Sequence, residues 1–309
     1  MMVGQHVPVR RRILNPIVLA FLGAAALLTV VAPASPAQAA TRATTYYVSL
    51  GDSYAVGYQP VPGGATPGYT TYVAARTHLT LVNFGCSGAT TTSLLRTVGC
   101  PAVLPHTAGG QSYPTTTQAA AALAFITAHR GHIGLITVTI GGNDIVPCAT
   151  KPNVASCVVS GTGGIATNVT TLSSQLRAAA GAEVPIIGST YPDVILGRYV
   201  WPVQPPSASA ASLAKLSITA FKFIINPALA KSYAKSAGAF VDVTRASGAY
   251  TSLSRTVDTT RYGSIPFPVA SVCSLTWLCA RGDIHPRNAG YTLIGKLIVG
   301  RYDAMTTHK

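Results

Sequence analysis

Apolar positions follow two rhythms along this chain. Short β-branched and aromatic runs at 46–50, 79–84, 135–140, 184–190 and 239–243 have the length and composition of buried strands. Between them, 69–76, 118–129 and 165–180 read as helices, with Leu172 and Leu176 one turn apart on one face. A longer helical stretch, 207–237, is expected to be interrupted at Pro227, which has no N–H to donate. Residues 248–284 show little periodicity and are expected to form a long surface excursion, before a last helix over 288–302. Strands that alternate with helices predict an α/β fold, a three-layer sandwich with a mainly parallel five-stranded sheet.

The first 39 residues have a different pattern. Arg10, Arg11 and Arg12 precede an uncharged apolar run over 13–31, and Ala37-Gln38-Ala39 is a small-x-small cleavage pattern. A retained membrane anchor would need about 20 apolar residues; Pro16 and the cleavage pattern favour removal after Ala39. We therefore expect residues 1–39 to be a secretion signal and 40–309 a single extracellular domain. The arginines followed by Ile13 and Leu14 also fit a twin-arginine signal, so the export route stays open. No second long apolar run stands out, so no stable membrane insertion is expected, and we expect a monomer.

Charge narrows the partners. The net charge is +14, with 22 basic and 8 acidic residues; the signal removes three arginines and no acid, leaving +11. The positives are scattered and do not interleave with aromatics, so no nucleic-acid partner is expected. Attraction to anionic cell surfaces explains the charge as well. The acids are more informative: Asp52, Asp144, Glu183, Asp193, Asp242, Asp258, Asp283 and Asp303 are the whole set. Cysteines fall as near neighbours, Cys86 with Cys100, Cys148 with Cys157 and Cys273 with Cys279. An exported chain makes disulfides the default, and sequential pairing closes three short loops. The spacings lack the short pair of a structural zinc site, so neither metal nor cofactor is expected.

Three strands end in small polar clusters: Gly51-Asp52-Ser53, Gly85-Cys86-Ser87 and Gly141-Gly142-Asn143-Asp144. In a parallel sheet these ends share one edge, where ligands bind. Gly282-Asp283-Ile284-His285-Pro286 follows just before the last helix. A serine, a backbone N–H at a glycine, an asparagine amide and a histidine are the parts that acyl transfer needs. A hydroxyl becomes a nucleophile when a base takes its proton, and fixed donors stabilise the oxyanion that attack creates.

From residue 46 to 302 the chain resembles the SGNH hydrolases, the GDSL-type lipases and esterases, with features like those of the actinobacterial secreted branch. The resemblance implies a flavodoxin-like fold and a serine esterase or lipase. It assigns Ser53 as nucleophile, His285 as base, and Ser53 N–H, Gly85 N–H and the Asn143 amide as oxyanion donors; substrates are small-molecule or lipid esters. The chain departs from the family at the acid, whose usual place three residues before the histidine holds Gly282. Asp283, two residues before, can orient His285, or the Gly282 carbonyl can do so; the frame tips the balance slightly to the carbonyl.

Other residues read more plainly. Asp52, Asp144, Asp193 and Asp242 suit structural roles at strand ends, and His78, His106, His129 and His132 lack a partner motif. Tyr54 and Trp277 are candidates for an acyl pocket or for simple packing. The Asn168-Val169-Thr170 sequon and Arg281-Gly282-Asp283 are read as coincidences. A competing class is a carbohydrate- or cell-wall-binding protein on the same fold without turnover. A nucleotide-binding domain ranks low because no glycine-rich phosphate loop follows the first strand. No serine sits in the G-x-S-x-G frame of an α/β-hydrolase.

Overall fold

The computed structural model describes residues 44–62, 67–100 and 107–307; the secretion signal and His106 lie outside the described residues. Five strands, β1 (Tyr46–Gly51), β2 (Thr80–Asn83), β3 (Ile133–Thr139), β4 (Ile186–Ser189) and β5 (Ala239–Val241), form one sheet. All pairings are parallel, in the order β2-β1-β3-β4-β5. Between the first and fourth strands lie helices α1 (Ser53–Val56), α2 (Tyr69–Thr77), α3 (Thr91–Arg96), α4 (Gln118–Ala128), α5 (Gly142–Ile145) and α6 (Val154–Ala180). After β4 come α7 (Ala208–Ala220), α8 (Asn226–Ala234), α9 (Val243–Ala246), α10 (Phe267–Leu275), α11 (Leu278–Arg281) and α12 (Asn288–Thr306). This is the three-layer α/β architecture that the alternating pattern implied.

Side chains alternate across the sheet with period two. Val48, Leu50, Ile136, Val138 and Ile186 join the core under α4, α6 and α8. Tyr47, Leu135 and Ile187 face the opposite core, which Tyr291, Ile294 and Ile298 of α12 close. That second face also buries Ser49, Thr137, Thr139 and Ser189. Their hydroxyls are satisfied from within: Tyr47 Oη meets Thr137 at 2.7 Å, Tyr69 Oη meets Thr139 at 2.8 Å, and Thr139 meets Ser189 at 2.6 Å. Buried polar groups are tolerated when paired in this way.

Three sequence expectations are corrected. Pro227 does not interrupt its helix: α7 and α8 join through a widened turn, Phe221–Ile225, in which Asn226 N–H reaches back to the Phe221 carbonyl. The extra residue accommodates the ring and the donor that proline lacks. The joined helix, Ala208–Ala234, is 27 residues long and, with a mean hydropathy of 1.4 in its most apolar window, is long and apolar enough to cross a membrane. Lys215 and Lys222 hide this run in the sequence. Residues 248–284 are not an unstructured excursion either. They form an antiparallel hairpin, β6 (Thr256–Thr259) with β7 (Gly263–Pro266), then α10 and α11. Ile265, Val269 and Val272 bury against Leu196 and Val200 as a small third core. All three sequential disulfides are formed, Cys86–Cys100, Cys148–Cys157 and Cys273–Cys279.

Candidate active site

The strand order reverses direction between β1's two neighbours, and the site lies there, outside the carboxyl ends of β1 and β3. Gly51 closes β1 with φ +142, and a Cβ there would fall 2.1 Å from the Thr139 carbonyl oxygen, so only glycine permits the turn. Asp52 then caps α1: its Oδ1 accepts from Tyr54 N–H at 2.9 Å. Ser53 becomes the first residue of that helix, with its N–H among the donors that have no intrahelical acceptor.

Across the edge, His285 Nε2 lies 2.8 Å from Ser53 Oγ. Its Nδ1 lies 2.8 Å from Asp283 Oδ1, and the same oxygen accepts the His285 backbone N–H at 2.9 Å. The Asp283 carboxylate therefore holds the place that the frame tipped towards the Gly282 carbonyl. The reason is local. Gly282 ends α11 in the left-handed conformation, φ +70, and the chain reverses so that the Asp283 side chain folds back onto its own successor. Burial lowers the His285 pKa from its usual 6.5, while the Asp283 charge and hydrogen bond oppose that shift. Tyr58 packs edge-on against the imidazole with centroids 4.4 Å apart.

Asn143 follows β3 on α5, and its Nδ2 donates to the Ala89 carbonyl at 2.9 Å, leaving the second N–H of the amide. Asp144 braces this turn, accepting from Thr91 N–H at 2.9 Å and Thr91 Oγ1 at 2.7 Å. The other expected donor needs correction. Gly85 N–H is spent on Asn83 Oδ1 at 2.9 Å and the residue is buried. Gly88, three positions on, is exposed, takes φ +79 and directly precedes Ala89, which holds Asn143. Its N–H donates to no group among the described residues, so the structure offers Gly88 where the sequence suggested Gly85.

Sequence reading also missed Tyr191. This buried residue follows β4; its hydroxyl donates to Asp52 Oδ2 at 2.6 Å and accepts Gly142 N–H at 3.1 Å. It thus ties the serine turn to the asparagine turn. Burial raises the Asp52 pKa from 3.8 to about 7, while the Tyr191 bond works against that rise. Trp277 is not part of a pocket beside Ser53. Its indole N–H donates to Gln59 Oε1 at 3.0 Å, and Arg281 and Arg287 lie over its ring. Its backbone N–H donates to the His285 carbonyl at 3.0 Å, so Trp277 braces the histidine loop. Asn168 sits within α6 with its amide on Thr91 and Thr92, and Asp283 is engaged by His285. Neither tripeptide coincidence is presented for recognition.

A serine, a histidine and a carboxylate thus stand in hydrogen-bonded sequence at one edge of a five-stranded α/β sheet. Residues 49–293 match the model of the GDSL-like lipase/acylhydrolase family, and the chain belongs to that family. Among solved structures it is similar to an extracellular lipase from Streptomyces rimosus, at 19% identity and a TM-score of 0.50, over 84% of this chain and 99% of that one. It is also similar to a phospholipase A1 from Streptomyces albidoflavus NA297, at 18% identity and a TM-score of 0.48, with the same coverage. A lipase from a goat rumen metagenome matches at 14% identity and a TM-score of 0.49, over 83% and 97% of the two chains. No curated protein matches the sequence.

Proposed function

We propose that the protein is a secreted carboxylic ester hydrolase acting through an acyl-enzyme on Ser53. The observation that carries this reading is the unbroken line from Ser53 Oγ to His285 Nε2 and from His285 Nδ1 to Asp283, 2.8 Å at each step. His285 takes the Ser53 proton as Oγ attacks the ester carbonyl. The carbonyl π electrons move to oxygen, and that oxyanion is received by Ser53 N–H, Gly88 N–H and the Asn143 amide. Collapse breaks the bond to the alcohol, which leaves with the proton from His285. Water then repeats the sequence on the acyl-enzyme and frees the acid. Asp283 keeps the proton of neutral His285 on Nδ1 and stabilises the imidazolium. Three disulfides and the apolar, arginine-led first 39 residues support export, with the mature chain beginning at residue 40.

The test is p-nitrophenyl ester hydrolysis and fluorophosphonate labelling of the wild type and Ser53→Ala. Loss of both in the variant, with unchanged melting, is expected. An unlabelled wild type without ester turnover would instead favour a binding protein on a hydrolase fold.

A further inference from the structure

Positive charge that is scattered along the sequence gathers on one layer of the fold. Residues 145–241 include α6 and the joined helix α7–α8, and they hold seven basic residues against two acids, Glu183 and Asp193. Neither acid offsets the helices. Asp193 is wholly buried, and Glu183 acts electrostatically on Arg177 in the last turn of α6. On the joined helix Lys215, Lys222 and Lys231 are exposed, and none of them forms an ion pair among the described residues. We propose that this face of α7–α8 docks the protein peripherally on an anionic phospholipid surface. The proposal concerns binding and stands apart from the acyl-transfer reading.

The lysines share one stripe. Exposed positions fall at Ser212, Lys215, Thr219 and Lys222, three or four residues apart, and then at Pro227 and Lys231. The step from 222 to 227 is five residues because the widened turn Phe221–Ile225 has one more than an α-turn. In an unbroken α-helix the stripe would pass to Ile225 or Asn226, and both are buried. The turn that admits Pro227 thus also keeps Lys231 in line with Lys215 and Lys222. The apolar side of the helix is already committed, since Ala220, Ile225 and Leu229 belong to the main core. The lysine stripe and its flanks are left to meet a partner.

Charge alone fits any polyanion, and the side chains beside it choose lipid. Among the described residues four large apolar side chains are largely exposed, and three of them lie on this layer. Phe223 is 66% exposed next to Lys222, Val203 is 59% exposed just before α7, and Val159 is 57% exposed on α6. The Lys222 ammonium lies 5.2 Å from the centre of the Phe223 ring, so a cation and an aromatic are presented together. At a bilayer the ring enters the boundary between headgroups and acyl chains while the ammonium stays among the phosphates. A nucleic acid or acidic glycan would engage the lysines and leave the apolar groups in water.

Flotation of Ser53→Ala with phosphatidylcholine vesicles, with and without about one-third phosphatidylglycerol, tests this. The variant keeps ester turnover out of the measurement. It should bind the anionic vesicles at low salt at least tenfold more tightly than the neutral ones, and leave them in about 1 M salt. Lys215→Gln, Lys222→Gln and Lys231→Gln together should weaken binding on the order of 10²-fold, each lysine giving about fivefold, the equivalent of about 1 kcal/mol. Phe223→Ser should weaken it about tenfold. Arg76→Gln, Lys296→Gln and Arg301→Gln remove the same charge from α2 and α12, over the opposite face of the sheet, and should cost less than threefold. Should the lysine triple variant fail to fold, Lys222→Gln alone should still lose about fivefold. Equal losses in the two triple variants, equal binding to both vesicles, or no binding to either overturns the proposal. So does unchanged binding in Phe223→Ser with displacement by polyphosphate, which would mark the face as a site for soluble polyanions. None of these outcomes bears on ester hydrolysis, which fluorophosphonate labelling of the wild type decides separately.

Discussion

Replacing Asp283 separates two jobs that a triad carboxylate usually performs together. One carboxylate oxygen, Oδ1, accepts both from the His285 backbone N–H and from Nδ1. In Asp283→Asn the amide oxygen can keep that position, because the backbone N–H accepts no other arrangement. The imidazole would then retain the Nδ1–H tautomer and lose only the negative charge. Exchanging a charged acceptor for a neutral one changes a hydrogen bond from about 1.5–3 to about 0.5–1.5 kcal/mol. The difference corresponds to roughly tenfold in kcat/KM. Asp283→Ala removes the acceptor altogether and should approach the loss, on the order of 10⁴, that accompanies a missing or misdirecting triad carboxylate. Both variants also remove what opposes burial at His285, so the acid limb of the pH–rate profile should move to lower pH. The assay is kcat/KM against pH for the wild type and both variants, with melting temperature as the control for folding. Equal losses in Asn and Ala would refute the tautomer argument, and losses under threefold in both would remove Asp283 from the mechanism.

Asn143→Ala should lower kcat by roughly 10²–10³-fold with little change in KM, and a phosphonate adduct on Ser53 should accept from Gly88 N–H and not from Gly85. A pure KM effect, or a contact to Gly85, would contradict the proposed donor set. Asp52 should make stability depend on pH: its folded pKa lies near 7 against 3.8, so its folded form binds the proton more tightly and stability falls as pH rises through that window. Denaturation of the wild type and Asp52→Asn at pH 5 and pH 8 should show this downward contribution only in the wild type; identical changes in the two proteins would exclude it.

The parts legible in the sequence are those that a single segment determines. Strand β1 and the turn at Gly51 are fixed by local composition, and Ser53, Asn143 and His285 each stand at a strand end or loop that pattern alone identifies. Residues whose role depends on a neighbour far along the chain were not legible. Gly85 and Gly88 both follow β2, and only the direction of the Asn83 side chain decides which N–H remains open. Tyr191 carried one available signal, its position just after β4 on the shared edge. Nothing local indicated that its hydroxyl would reach Asp52, 139 positions away. The unbroken passage through Pro227 was hidden for a different reason. A widened turn is a backbone solution with no composition of its own.

These long-range ties explain how a site assembled from four loops can be rigid. Ser53, Asn143, Gly88 and His285 lie on four separate segments outside the paired strands. Each is instead clamped by a partner on another loop: Asn143 to Ala89, Asp144 to Thr91, and Gly142 through Tyr191 to Asp52. Tyr54, next to Ser53, donates through its hydroxyl to the Ile284 carbonyl at 2.7 Å. The histidine loop is therefore fastened to the serine helix one residue from Ser53 and one residue from His285. Catalysis tolerates little displacement, since an error of about 1 Å can cost on the order of 10²-fold. A buried carboxylate that retains its proton to about pH 7 is costly to keep beside Ser53. Its position follows from geometry: Asp52 is the acceptor through which the ends of β1, β3 and β4 are held at one spacing.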